Sequence, residues 1–299
     1  MIRDRSKLTT ERRNAASRDI DRRSVLGIVD LINAEDRRVA AAVGRQRRRI
    51  ATAVELIASA LAGGGRLFYV GAGTSGRLGV LDASECPPTF GVRPGLVQGI
   101  IAGGRRALVR SVEGAEDRPA DGAAAIDHRR VGRRDVVVGI AACGLTPFVL
   151  AAVRRAAQRG AATVFITCAP QATGDIKADV IINPVVGPEV VTGSTRMKAG
   201  TATKLVLNTL TTAAMIRLGK VFGNLMVDLR ATNAKLRDRS RRIIREVTGL
   251  DRRAADALLR RAGGGVKVAV VMHVRKVGRR DAQRLLKRHK GFLRAAIGR

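Results

Sequence analysis

The sequence predicts an α/β protein built on a doubly wound parallel sheet, with an N-terminal helical arm and a C-terminal helical module. Two observations carry this. Short apolar runs alternate with helical ones through the middle of the chain. Several of those runs also end in turns rich in glycine and hydroxyls, as strands feeding ligand loops do.

In order, residues 1–52 read as polar and helical. Ser24–Asn33 carries apolar residues at helical spacing, and Arg49–Leu61 forms a second amphipathic helix ended by Gly63-Gly64-Gly65. The strand-like runs are Leu67–Val70, Leu96–Ile101, Val136–Ile140, Ala162–Thr167 and Val180–Ile182. Pro147–Arg159 and Thr201–Leu218 read as helices. Beyond Gly223 the chain turns basic: 229–262 and 279–297 read as helical, and the β-branched Val266–Val274 is assigned to helix from its surroundings. The expected division is an arm over 1–56, an α/β domain over 57–220 and a helical module over 221–299.

Composition sets limits. A length of 299 residues with 45% hydrophobic content fits a globular chain with a sizeable core. No apolar run reaches membrane-spanning length, and no signal peptide is readable. Three scattered cysteines, Cys86, Cys143 and Cys168, suit a reducing cytoplasm better than a disulfide framework. They read as small buried thiols, with Cys86 and Cys143 also open to a nucleophilic role. The net charge of +31 attracts anions in general. With 2% aromatic residues, no Trp and no DNA- or RNA-binding signature, it reads as a solvated Arg-rich surface rather than a specific nucleic-acid site.

Four constellations carry chemistry. Gly71-Ala72-Gly73-Thr74-Ser75-Gly76 follows the first strand. Its glycines admit a ligand close to the backbone, and Thr74 and Ser75 suit a sugar. It matches a dinucleotide fingerprint only weakly, because no acidic residue ends the next strand. Glu85 and Glu116 form a pair of carboxylates able to divide acid and base work, with Glu113 and Asp117 as rivals for the second place. The stretch Thr192–Lys204 gathers Ser194, Thr195, Arg196 and Lys198 ahead of a helix, a setting for an anion. Cys143-Gly144-Leu145-Thr146-Pro147 is a strand-to-helix turn, with Thr146 as helix cap or phosphate ligand. The loops at Gly71, Gly144 and Gly193 are expected to share one site. His128, His273 and His289 show no metal-ligand spacing, so no metal is implied.

Several stretches together resemble the N-acetylmuramic acid 6-phosphate etherase family of the sugar isomerase (SIS) domain superfamily. They are Leu8–Asn14, Gly71–Phe90, Val112–Asp117, Val190–Lys204 and Gly219–Asp228. The resemblance implies a SIS-type domain and a cofactor-free lyase of amino-sugar catabolism and peptidoglycan recycling. It implies cleavage of the D-lactyl ether by elimination and then water addition, giving N-acetylglucosamine 6-phosphate and D-lactate. It further implies a cytoplasmic homodimer with its active site near the subunit interface. Glu85 then matches the acid that assists lactate departure and Glu116 the base at C2. Gly73, Thr74, Ser75, Thr146, Ser194, Thr195, Arg196 and Lys198 become the substrate contacts. One stretch departs: the family's loop normally reads Ser-Gly-Arg-Thr-Pro, and here Cys143 and Leu145 replace its hydroxyl and its cation. The +31 charge is also far more basic than the family leads one to expect. A non-catalytic sugar-phosphate regulator on the same fold is the alternative reading.

Overall fold

A computed structural model describes residues 5–229 and 234–298. The chain divides into two compact units, Met1–Ser84 with Gly95–Thr211, and Glu85–Pro94 with Thr212–Arg299.

The first unit opens with four short 3-10 turns between Arg5 and Arg22. Two helices follow, α1 (Val25–Gly44) and α2 (Arg47–Ala62). Ser24 caps α1 by accepting the Gly27 N–H at 3.2 Å. The chain then runs β1 (Leu67–Gly71), α3 (Gly73–Phe90), β2 (Val97–Ile101), α4 (Pro119–His128) and β3 (Val136–Ile140). It continues through α5 (Pro147–Gln158), β4 (Ala162–Ile166), β5 (Val180–Ile182) and α6 (Lys198–Arg217).

The five strands form one parallel sheet in the order β2-β1-β3-β4-β5. β1 and β3 are wholly buried, which explains their unbroken apolar sequences. Phe68, Val70, Val137, Phe148 and Phe165 meet in one core, and Leu8 from the arm is fully buried among them. The arm is therefore part of this unit's core. α4 packs on α5 so closely that a Cβ on Gly122 would stand 2.1 Å from the carbonyl oxygen of Phe148.

The second unit contains α7 (Ala234–Thr248), α8 (Arg252–Arg261), α9 (Val266–Arg275), α10 (Arg279–Arg288) and α11 (Leu293–Ile297). The β-branched run at 266–274 is helical, as expected. Its core joins Ile243, Ile244, Leu258, Val270 and Leu293. Lys267 is buried within it and donates to Asp228 at 2.6 Å and to the carbonyls of Gly219 (2.8 Å) and Gly291 (2.7 Å). Burial pushes its pKa down, and Asp228 opposes that shift. Gly91 has φ +65° and its missing Cβ would lie 2.0 Å from the Asp228 carbonyl, so only glycine fits there. Among the described residues no helix is long and apolar enough to cross a membrane.

Candidate active site

Chain order places the site. β2 lies on one side of β1 and β3 on the other, so the loops leaving β1 and β3 diverge at the sheet's switch point. Ligands of open α/β sheets bind at that place. Gly71 and Ile140 are paired across β1 and β3, so the 72–76 and 141–146 turns leave the same edge of the sheet side by side.

Thr74, Ser75 and Gly76 form the first turn of α3 rather than a free loop. The helix starts this close to β1 because a Cβ on Gly76 would lie 2.8 Å from the Gly71 carbonyl and 2.6 Å from Ile101. Ala72, Gly73 and Arg77 line one side of a cavity of about 140 Å³. Glu113, Gly114 and Glu116 line the other. Glu116 sits in a 3-10 turn, Ala115–Asp117, and is exposed. Ser111 donates to its rival Glu113 at 2.9 Å, whereas Glu116 has no hydrogen-bond partner among the described residues.

The third loop joins the first. A Cβ on Gly200 would stand 3.6 Å from Cγ2 of Thr74. Ser194 and Thr195 are half-buried in tight turns, and Arg196 is exposed. Lys198 is different. It is fully buried, and its ammonium pairs with Glu35 of α1. Thr146 precedes α5 in extended conformation and makes no capping bond, leaving its hydroxyl unengaged there. Cys143 and Leu145 are half-buried against the core of the sheet.

Cys86, Pro87 and Pro88 are helical: α3 continues to Phe90, closed by a bond from the Gly91 N–H to the Pro87 carbonyl at 3.0 Å. Glu85 is exposed and lies in α3, eleven positions beyond Thr74 in the sequence.

Sequence reasoning missed Glu35, Glu189 and Asn14. Glu35 had a readable signal, since it shares the buried stripe of α1 with Leu31, Val39 and Ala42. A carboxylate on an apolar stripe needs a buried partner. Burial raises its pKa, but the bond and charge of Lys198 and the bond from Asn14 outweigh it and hold the group below its usual value. Glu189 accepts the N–H groups of Lys198 and Ala199 at 3.0 and 2.9 Å. Burial raises its pKa, against the pull of those amides. Cys168 is pushed up to about 12 by burial, with a contribution from Glu189, so it is no thiolate nucleophile at neutral pH.

The sheet order and the loops at its switch point define the class. Residues 49–157 match the family described as the glucokinase regulatory protein N-terminal SIS domain. Three proteins named N-acetylmuramic acid 6-phosphate etherase are similar over almost the whole chain. That of Trichormus variabilis is 55% identical across 99% of this chain and 96% of its own length. That of Nostoc sp. is 54% identical over the same shares. That of Salinibacter ruber is 56% identical across 97% and 94%. The chain belongs to the N-acetylmuramic acid 6-phosphate etherase family.

Proposed function

We propose that this chain is a carbon–oxygen lyase that cleaves the D-lactyl ether of N-acetylmuramic acid 6-phosphate, in the cytoplasm and as a homodimer. The observation carrying this reading is likeness to etherases along nearly the full chain. Glu116 at the edge of the cavity under the glycine turn gives that likeness a chemical centre.

The chemistry follows from the open-chain sugar. Its C2 proton is α to an aldehyde, so a carboxylate can remove it, and Glu116 takes that part. The ether oxygen at C3 is a poor leaving group until it is protonated, and Glu85 supplies the proton. Lactate leaves, and a C2–C3 double bond forms in conjugation with the aldehyde. Water then adds at C3 with a proton returned to C2, giving N-acetylglucosamine 6-phosphate and D-lactate. Neither step needs an external oxidant or reductant.

Gly73, Thr74 and Ser75 at the start of α3, Thr146 before α5, and Ser194, Thr195 and Arg196 provide the hydroxyls, amides and cation for the sugar and its phosphate. The ammonium of Lys198 is enclosed by Glu35, so its part is to support that loop rather than to touch the phosphate.

The test is D-lactate release from N-acetylmuramic acid 6-phosphate, with Glu85→Ala and Glu116→Ala alongside. Release by the wild type, lost in both variants, is the expected result. A folded wild type that binds the substrate without turnover would transfer the reading to a sugar-phosphate regulator.

A further inference from the structure

The loop that carries Ser194, Thr195 and Arg196 rests on buried polar groups that the reaction itself does not use. Asn14, Glu35, Glu189 and Lys198 are each at least nine-tenths buried. Lys198 donates from Nζ to Oε2 of Glu35. Asn14 donates from Nδ2 to the same oxygen at 2.8 Å and to the Pro188 carbonyl at 3.2 Å. Arg38 engages the other Glu35 oxygen at 2.8 Å. Glu189, just ahead of the loop, takes the first two N–H groups of α6, just after it.

These bonds tie together four separate stretches: the segment ahead of α1 that carries Asn14, α1 itself, the chain before the loop and the helix after it. Residues 190–197 are closed at their base by Glu189 and pinned from below through Lys198. A buried ion pair adds little stability over apolar residues of similar volume, but it tolerates only one arrangement, because either charge left alone is costly. A pair of this kind fixes register. The arm also reaches the loop's upper side, where a Cβ on Gly193 would lie 3.2 Å from Oε2 of Glu11.

We infer that Asn14, Glu35, Glu189 and Lys198 are positioning residues, a buried clamp that holds Ser194, Thr195 and Arg196 in the geometry that receives the substrate's anionic group. The inference rests on the reading of that loop as a substrate contact.

The experiment compares the full-length wild type with Glu35→Gln, Lys198→Met and the double variant Glu35→Met/Lys198→Met. Two quantities are read: kinetics of lactate release, and amide hydrogen exchange across 190–199. Each single variant is expected to raise KM about 10–100-fold with kcat within about threefold, the signature of lost ground-state positioning. Exchange at 190–199 is expected to quicken about tenfold or more, with β1 and β3 unchanged. The double variant removes both charges, so it folds, regains thermal stability and keeps the raised KM. A double variant that restores KM as well as stability would overturn the clamp, as would unchanged exchange in every variant. Failure of the etherase reading is separable: the wild type would release no lactate, while exchange would still report whether the clamp holds the loop.

Discussion

Tyr69 of β1 donates its phenolic hydrogen to the carboxylate of Asp82 on α3 at 3.0 Å, with both side chains buried. Thr211 of α6 donates to the other oxygen of Asp82 at 3.3 Å. One carboxylate thus links a strand to two helices, and α3 is the helix whose first turn faces the cavity. Tyr69→Phe leaves Asp82 buried and short of one donor. The expected loss is about 1–3 kcal/mol, read as a lower urea midpoint for the wild-type fold with kcat within about twofold. An unchanged midpoint would show that the bond contributes nothing.

Glu35 gives the protein a pH dependence of known sign. Its carboxyl is held below the usual value in the folded chain, because Lys198 and Asn14 outweigh the opposing effect of burial. Such a group stabilises fully above its unfolded pKa, and that contribution is lost as pH falls through the folded value. Glu189, raised by burial, works in the opposite sense, so the whole-protein curve mixes the two. Comparison with Glu35→Gln isolates the first. Near pH 7 the variant is expected to be less stable by about 3–5 kcal/mol, as for a broken buried pair. The gap should close as pH falls below about 4.3, where the unfolded carboxyl takes up its proton. A gap that is constant from pH 7 to pH 3 would mean that folding does not shift the Glu35 carboxyl from its unfolded value.

The strands were readable almost to the residue because β-branched, apolar and buried coincide in them. Val136–Ile140 and Val180–Ile182 are predicted and observed with the same bounds. α3 was obscured by the residues that make it fit. Gly76 and Gly79 weaken the helical signal, yet they are needed where α3 lies on Gly71, Ile101 and Tyr69. Pro87 and Pro88 add to this, because each lacks the N–H that would bond four residues back, yet α3 runs past both to Phe90. The glycine turn and the hydroxyl loop of the site were legible as local motifs. The clamp beneath was not: Glu35 and Lys198 are 163 residues apart, and no local pattern couples them.

The two carboxylates are separable by isotope. If Glu116 removes the C2 proton, Glu116→Gln abolishes both lactate release and exchange of deuterium from solvent into C2. If Glu85 only protonates the leaving oxygen, Glu85→Gln keeps C2 exchange and loses lactate release. Each loss is expected to be about 10²–10⁴-fold, the usual weight of a positioned acid or base. Mass spectrometry of recovered substrate in deuterated buffer decides it. Retained exchange in Glu116→Gln would pass the base role to another group, with Glu113 the nearest rival on the same cavity wall.

Cys143 and Leu145 stand where the family's usual loop reads Ser and Arg. Both are half-buried against the sheet core. Exchange of a thiol for a hydroxyl is nearly isosteric and strengthens the donor. Cys143→Ser is therefore expected to lower KM about 2–10-fold, the weight of one neutral hydrogen bond, with kcat unchanged. Leu145→Arg removes an apolar side chain from a packed position. The guanidinium must reach solvent past that core, so a loss of about 1–3 kcal/mol in stability is expected whatever happens to affinity. Initial-rate kinetics and thermal melts of the two variants check both statements. A Cys143→Ser variant with unchanged KM would show that the side chain at 143 faces the core alone, leaving substrate contact on this loop to Thr146 and the backbone.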